Sequence, residues 1–189
     1  MLSPTSLTSP TAAVPAQELA LATLRTASAT SSPADFDFLM GKWTIHNRKL
    51  KTRLNGCTEW VEFDATQEAG KVLAETANLD QFHAAPGGVP YDGMAVRLFN
   101  AKTRLWSIYW TSSNAGTFDV PQVGSFAGPI GLFYAADTFQ GRAILVLFKW
   151  DATNPNRPVW SQAFSTDEGK TWEWNWYMHL RRPDAPAGN

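Results

Sequence analysis

The sequence predicts an all-β protein built as an antiparallel barrel or sandwich. From Phe36 onward it consists of short runs rich in β-branched and aromatic residues, separated by turn pairs such as Asn55-Gly56, Gln140-Gly141 and Asn154-Pro155. No run after residue 36 has the period and the length, about ten residues or more, of a convincing helix. Many short sequential strands joined by short turns are typical of antiparallel β folds, and closing them into a barrel removes exposed sheet edges.

Composition limits the class of protein. The chain has 189 residues, which indicates one domain, and 44% hydrophobic against 17% charged residues is enough for a packed core. A net charge of -1 without a long basic run argues against nucleic-acid binding, and no apolar run approaches the roughly 20 residues of a membrane span. Cys57 stands alone, so it forms no intramolecular disulfide and is interpreted as a small apolar residue. A reducing compartment fits this, and we expect a cytoplasmic protein.

The first 35 residues differ from the rest because they hold Ser, Thr, Ala and Pro but no aromatic residue. We expect a disordered extension that buries too little surface to become ordered. It lacks the basic start and continuous apolar stretch of a signal peptide. A short helix over residues 16–27 would place Leu19, Leu21 and Leu24 partly on one side. The predicted domain then covers residues 36–182, followed by a flexible tail over 183–189.

Eleven segments have the composition and length of strands. In chain order the predicted strands are Trp43–Leu50, Thr58–Ala65, Lys71–Ala77, Leu79–His83, Gly93–Asn100, Leu105–Thr111, Val123–Ala127, Leu132–Phe139, Arg142–Trp150, Val159–Ser165 and Trp172–Leu180.

Several of these strands are apolar on both faces. Residues 143–148 place aliphatic and aromatic side chains at successive positions, and residues 105–110 do nearly the same. A strand with one face exposed to solvent alternates between apolar and polar residues. The pattern therefore indicates apolar surroundings on both sides, such as an interior cavity combined with an outer cover or a dimer surface.

A hairpin motif precedes the last strand. Residues 165–172 match S-x-D-x-G-x-T-W, which resembles the Asp-box hairpin of sialidase propellers and several unrelated β folds. Asp167 would accept hydrogen bonds from turn amides, Gly169 would supply a positive φ, and Trp172 would pack under the turn. One motif in so short a chain does not make a propeller, which needs several blades.

Tryptophans stand at every second position after this turn. Trp172, Trp174 and Trp176 are therefore expected on one face of the last strand, where they form a wall of the core or cavity. Asn175 and His179 are expected on the opposite face.

The start of the folded region carries a family resemblance. The G-x-W of Gly41 and Trp43 resembles the start of calycins, meaning lipocalins and fatty-acid-binding proteins. Together, F-D-F-x-x-G-x-W from Phe36 and the Asp-box hairpin resemble an uncharacterised bacterial family of lipocalin-like barrels, over residues 36–182. The resemblance implies an up-and-down barrel of about eight to ten strands around a pocket, and no catalytic residue. It carries over structural positions only: Gly41, Trp43, Asp167, Gly169 and Trp172.

Motifs for metal or covalent chemistry are missing from the sequence. His46, His83 and His179 do not have metal-ligand spacing, so we expect no metal. No nucleophile elbow, P-loop or dinucleotide fingerprint occurs. Glu62 and Asp64, with Glu59 pointing the other way on the same predicted strand, leave a paired-carboxylate site open without favouring it.

Isolated polar residues on apolar strand faces, together with the aromatic residues around them, indicate a pocket for a small apolar or amphipathic ligand. Arg97 or Arg48 would bind a carboxylate or another anionic group, unless Arg97 pairs with Glu62 or Glu59. For His46 the alternative is a surface position, and for the tryptophans it is plain core packing. The predicted ligand-binding residues are His46, Arg48, Arg97, Tyr109, Gln162, Asn175, Trp110 and Trp176.

Three alternatives to a small-molecule binding protein remain open. One is a haem-binding barrel that uses His179, by analogy with calycin-type haem proteins; otherwise no cofactor is expected. A second is a barrel enzyme with Tyr109, His46 or Glu62 as acid or base. A third is an interaction scaffold that uses surplus aromatic residues as a homodimer face.

Overall fold

Ten antiparallel strands close into a single barrel. The computed structural model describes residues 13–183. Its regular elements are α1 (Ala13–Leu24), β1 (Gly41–Leu50), β2 (Trp60–Val72), β3 (Ala77–Ala84), β4 (Tyr91–Asn100), β5 (Leu105–Ser112), β6 (Gln122–Ala127), β7 (Ile130–Phe139), β8 (Arg142–Asp151), β9 (Val159–Ser165) and β10 (Glu173–Arg181), with 3₁₀ turns at Asp37–Leu39 and Pro86–Gly88.

The order of strands around the barrel follows the order in the chain. Each strand pairs with the next, and β10 returns to pair with β1, from Thr44 opposite Arg181 to Lys49 opposite Trp176. The prediction of an up-and-down barrel is confirmed, and the sandwich alternative is wrong. Ten strands form rather than eleven, because β2 runs unbroken to Val72 and pairs with β3 on the far side of a turn. The predicted strand Lys71–Ala77 spans that turn, where residues 73–75 have positive φ.

An aromatic plug fills the end of the barrel where β1 begins. The turn Asp37–Leu39 directs Phe36 into the interior, where it is buried. Its ring centroid lies between 4.9 and 6.2 Å from those of Trp106, Phe126, Phe133 and Trp150. Aromatic edge-to-face packing of this kind makes the closed end a dense hydrophobic core.

The G-x-W segment ties this end to the last strand through Arg182. The Arg182 guanidinium lies 3.7 Å from the Trp43 ring centroid and donates hydrogen bonds to the carbonyls of Phe38 and Met40. Gly41 has a φ of +93°, and a Cβ there would lie 3.2 Å from Arg182 Nη1. Glycine is therefore favoured at this position for two reasons. It adopts a positive φ without steric cost, and its lack of a Cβ leaves room for the Arg182 guanidinium. Sequence analysis did not single out Arg182.

Helix α1 lies on the outside of β7 and β8. Leu21 is only 2% exposed and packs with Tyr134, Leu145, Leu147 and Ala163. These residues form the outward apolar face of strands whose inward face is also apolar, so α1 is the outer cover that the two-sided pattern required. Within the extension that the sequence predicts to be disordered, residues 13–35 include α1 and contact the barrel. The rest of the predicted extension, residues 1–12, and residues 184–189 of the predicted tail lie outside the described residues.

The Asp-box hairpin forms between β9 and β10 as predicted. Asp167 accepts hydrogen bonds from the backbone amide and hydroxyl of Thr171, at 2.9 and 2.6 Å, and Gly169 has a φ of +86°. Because these hydrogen bonds favour the charged form, they lower the pKa of Asp167 to about 2. Trp172 donates from its indole nitrogen to the Gly169 carbonyl and packs in the cluster under α1.

The three alternating tryptophans do not share a face, so this expectation is wrong. The register of β10 against β9 shifts between Trp174 and Trp176, which is a β-bulge. Trp174, like Trp172, belongs to the outer cluster under α1, whereas Trp176 packs in the barrel interior. Asn175 at the bulge is fully buried.

Within residues 13–183, no helix has the length and hydropathy needed to cross a membrane.

Candidate ligand-binding cavity

The barrel interior is not completely filled. Between the aromatic plug and the opposite end, where β1 ends, a cavity of about 300 Å³ remains. Protein interiors normally pack as densely as organic crystals, so a space of this size at the centre of a barrel marks a candidate binding site. Its lining combines aromatic and aliphatic side chains with polar ones: Lys49, Arg53, Gln67, Asp80, Phe82, Tyr91, Ala95, Arg97, Ile108, Trp110, Asp119, Val120, Gln122, Asp137, Phe139, Val146, Phe148, Trp150, Trp160, Gln162, Phe164, Trp176 and Met178.

Aromatic rings make up much of the cavity wall. Trp160 lies between Phe148 and Trp176, with ring centroids at 4.9 and 5.5 Å in edge-to-face geometry. On the other side, Trp110 lies over Gly93, where a Cβ would come within 2.2 Å of the indole ring. Gly93 therefore allows Trp110 to lie flat against β4. A wall of this kind offers flat apolar surface at fixed positions, which suits an apolar or aromatic ligand.

Arg97 lies at the floor of the cavity, where a buried carboxylate neutralises its charge. It is 4% exposed, forms an ion pair with Asp80, which is 1% exposed, and donates a 3.0 Å hydrogen bond from Nη1 to Asn78 Oδ1. The predicted alternative of a buried ion pair is thus observed, but the partner is Asp80 on β3 rather than Glu59 or Glu62. Its guanidinium also lies 5.2 Å from the Phe36 ring centroid, so the pair rests on the aromatic plug.

Several polar atoms around the cavity have no protein partner. They include Nε of Arg97, Nε2 of Gln67 and Oε1 of Gln122, all on residues that line the cavity. Buried polar groups are nearly always hydrogen-bonded, so unpaired donors and an acceptor beside a cavity are groups that a ligand can satisfy. Gln162, by contrast, is engaged and donates from Nε2 to Asn175 Oδ1 at 2.8 Å.

The open end of the cavity carries charge of both signs. Lys49 is near the end of β1 and Arg53 follows that strand, whereas Asp119 precedes β6 and Asp137 is near the end of β7. Strand β7 is four positions from β1 around the ten-stranded barrel, but the Arg53 guanidinium reaches the Phe139 ring of β7, with 5.9 Å to its centroid.

Burial perturbs the charged groups at this rim. Burial, and then repulsion from the Arg53 guanidinium, lowers the pKa of Lys49 to about 8. Burial also lowers the pKa of Arg53, which the Glu173 carboxylate opposes. At the same opening, burial and then the neighbouring Asp137 carboxylate raise the pKa of Asp119 above its usual range. All three shifts have the sign that desolvation of a charge produces.

Five of the eight predicted site residues are in or next to the cavity. Arg97, Gln162, Trp110 and Trp176 line it, and Asn175 is buried behind it in its hydrogen bond with Gln162. That these residues bind a ligand stays a prediction.

The other three lie on the outer surface of the barrel. His46 and Arg48 point away from the interior because Ile45, Asn47 and Lys49 take the inward positions of β1. Arg48 forms an exposed ion pair with Glu62. Tyr109 packs against Phe118 outside β5, since its neighbours Ile108 and Trp110 point inward. The expectation that these three face the pocket is wrong, because the sequence does not reveal which strand face is inside.

Sequence analysis missed most of the polar lining. Lys49, Gln67, Asp80, Gln122 and Asp137 all occupy inward positions on strands and belong to no motif. Arg53 and Asp119 lie on connections at the open end. The signal that was available for Lys49 is its spacing: it follows Trp43, Ile45 and Asn47 at every second position, which places it on the same face as the G-x-W tryptophan.

A second, larger depression of about 900 Å³ lies on the outer surface and has His46, His83 and His179 along it. His46 is within 3.0 Å of Asp64, and His83 is within 2.7 Å of Asp92. Burial, and then the nearby charges of His46 and Arg48, lower the pKa of His179. In the part of the chain that the structure describes, no group of three or more His, Cys, Asp or Glu side chains is placed to hold a metal ion.

Comparison with known proteins finds similar folds among solved structures but no related sequence family. No family model matches the chain, and no curated protein matches it. Among solved structures, the S-type phycobiliprotein lyase CPES from Guillardia theta is similar with a TM-score of 0.57 at 10% identity, over 83% of this chain and 95% of that one. Rv2717c from M. tuberculosis aligns with a TM-score of 0.48 at 13% identity, over 86% of this chain and 96% of that one. The chain is a closed ten-stranded antiparallel barrel, and at 10% identity the likeness to the lyase concerns the fold alone.

Proposed function

We propose that this protein binds a small, largely apolar molecule inside its barrel. The observation that carries the proposal is the interior cavity of about 300 Å³, with its aromatic wall and its unpaired polar atoms. That volume is at the lower end of the range for small-molecule sites. A barrel that served only as a scaffold would gain stability by filling this space, because each missing contact weakens the core.

The two other chemical alternatives have less support. A haem site that uses His179 would need its imidazole in the interior, but the side chain is exposed and stacks on Tyr177 outside the barrel. An enzyme that uses Tyr109, His46 or Glu62 would have to work on the outer surface, where Glu62 already pairs with Arg48. Binding in the interior needs none of these residues.

The proposal is tested by blocking the cavity. Ala95 is buried in its wall, whereas Ala143 is an exposed residue of β8, so the same substitution at each site separates cavity loss from a general effect of added bulk. We expect the neutral apolar fluorophore N-phenyl-1-naphthylamine to bind with enhanced emission. In Ala95→Phe its affinity falls by about tenfold or more, equivalent to about 1.4 kcal/mol, whereas Ala143→Phe binds like the unaltered protein.

Binding that is unaffected by Ala95→Phe would place the fluorophore elsewhere on the molecule and contradict the proposal. Circular dichroism and a denaturation midpoint for each variant establish that the comparison is made between folded proteins.

A further inference from the structure

The cations at the open end of the cavity have no carboxylate partners. Within residues 13–183, the ion pairs involve neither Lys49 nor Arg53. This distinguishes them from Arg97 and Arg48, the two arginines that the sequence suggested for an anion, since both of those are neutralised by a carboxylate.

The surroundings of Lys49 are aromatic. Its ammonium lies 3.8 Å from the ring centroid of Trp176, and the guanidinium of Arg53 lies 5.9 Å from the ring centroids of both Phe139 and Phe164. Cation–π contacts hold the two charges in place without neutralising them. Nε of Arg53 is also buried and has no hydrogen-bond partner.

Other charged groups near the two cations do not alter this assignment. The Glu173 carboxylate is near enough to oppose the lowering of the pKa of Arg53, but it forms no ion pair with Arg53, and its two oxygens accept a hydrogen bond from the Leu54 amide at 2.9 Å. Asp119 and Asp137 form no ion pair with either cation, and the charge that perturbs Lys49 is Arg53. Two like charges left together in a partly desolvated site disfavour one another, and a bound anion relieves that repulsion.

We propose that the ligand is an amphipathic carboxylate whose acidic group lies between Lys49 and Arg53 while its apolar part extends along the aromatic wall. The inference rests on the proposed function, because it specifies the chemical class of the molecule in the same cavity. The carboxylate would accept hydrogen bonds from the Lys49 ammonium and from the Arg53 guanidinium.

Two ligands of nearly the same shape and different charge test the inference. The probes are 2-naphthoate and its neutral analogue 2-naphthamide, and binding is measured by isothermal titration calorimetry. We expect 2-naphthoate to bind about tenfold more tightly, the usual scale for a charge-assisted hydrogen bond. Lys49→Met removes the charge but keeps the apolar stem, and it reduces this preference several-fold because only the Arg53 guanidinium remains.

Lys51→Met is the matched control. Lys51 is two residues along the chain, exposed, and paired with Glu59 at 2.9 Å, so its charge is outside the cavity. The preference for 2-naphthoate is retained in this variant. An equal reduction of the preference in both variants would mean that overall charge, rather than the Lys49 site, governs binding, and would overturn the inference.

A pH titration of the unaltered protein gives a second test that needs no variant. The carboxylate of 2-naphthoate is ionised throughout the range from about pH 7 to about pH 10, and Lys49 loses its proton within it. The preference over 2-naphthamide therefore decreases as the pH rises. The midpoint for the complex lies above that of the free protein, because the bound anion favours the charged amine.

Different results would overturn the proposed function and the further inference. If 2-naphthamide binds and 2-naphthoate binds no better, the inference is overturned while the proposed function stands. If neither probe binds and N-phenyl-1-naphthylamine also fails to bind, the proposed function falls and the inference falls with it. A preference that does not change with pH contradicts the role of Lys49 even where the charge preference exists.

Discussion

Burial decides what an arginine does in this barrel. Arg97 and Arg48 both pair with a carboxylate, but the Arg97–Asp80 pair is almost fully buried whereas the side chains of Arg48 and Glu62 are 43% and 53% exposed. A buried charge without its partner is very costly, while an exposed one is solvated by water. We therefore expect the Arg97–Asp80 pair to affect the free energy of unfolding much more than the Arg48–Glu62 pair does.

Removing one charge from each pair measures this difference. Asp80→Asn leaves the Arg97 charge buried and uncompensated, so we expect the free energy of unfolding to fall by about 3–5 kcal/mol. Glu62→Gln makes the matched change in the exposed pair and costs at most about 1 kcal/mol. Urea denaturation followed by tryptophan fluorescence gives both values. Similar losses in the two variants would contradict the assignment of Asp80 as the neutralising partner of Arg97.

Helix α1 depends on the barrel for its stability. Its sequence has no aromatic residue, but the outer faces of β7 and β8 offer Tyr134, Leu145 and Leu147 for Leu21 to contact. The helix is further held where Arg25 donates from Nε to the Tyr134 carbonyl at 2.9 Å. Helices in proteins gain most of their stability from packing of this kind rather than from intrinsic propensity.

Two leucines on α1 test the packing. Leu21 is 2% exposed and Leu19 is 73% exposed. We expect Leu21→Ala to lower the free energy of unfolding by about 2–3 kcal/mol through lost burial, and Leu19→Ala to change it by less than about 0.5 kcal/mol. The change in helix propensity is the same in both and cancels. Equal, small effects would show that α1 contributes nothing to stability.

At the scale of the whole molecule, the barrel has one well-filled end and one polar end. The closed end combines the aromatic plug with Arg182, which joins the end of β10 to the segment before β1. The start of β1 and the end of β10 therefore lie side by side, where the pairing of these two strands completes the barrel. At the other end, charged residues and loops surround the opening of the cavity.

Neighbouring arginines test the importance of that junction. Arg182→Met removes the contact with Trp43 and leaves the Phe38 and Met40 carbonyls without these donors. The expected loss in free energy of unfolding is about 1–3 kcal/mol. Arg181→Met removes only an exposed hydrogen bond to Thr44, so it changes stability by less than about 0.5 kcal/mol. Thermal and urea unfolding of both variants provide the comparison, and equal stability would show that Arg182 is dispensable for closure.

Local sequence patterns are sufficient to predict the all-β class, most strand positions, the start at Gly41 and Trp43 and the Asp-box hairpin. These features depend on local patterns: period-two strands, turn residues with required backbone conformations, and hydrogen bonds within a few residues. The antiparallel order also follows, because short connections bring consecutive strands together.

Which residues face the cavity depends on the folded arrangement of the strands and could not be predicted from the sequence. A single bulge at Asn175 separates Trp176 from Trp172 and Trp174, and a shift of one residue moves a side chain from one face of a sheet to the other. For the same reason His46, Arg48 and Tyr109 lie outside while Lys49 lies inside. The partner of Arg97, the cover provided by α1 and the arrangement of charges around the rim depend on contacts between distant parts of the chain, and no local pattern encodes those contacts.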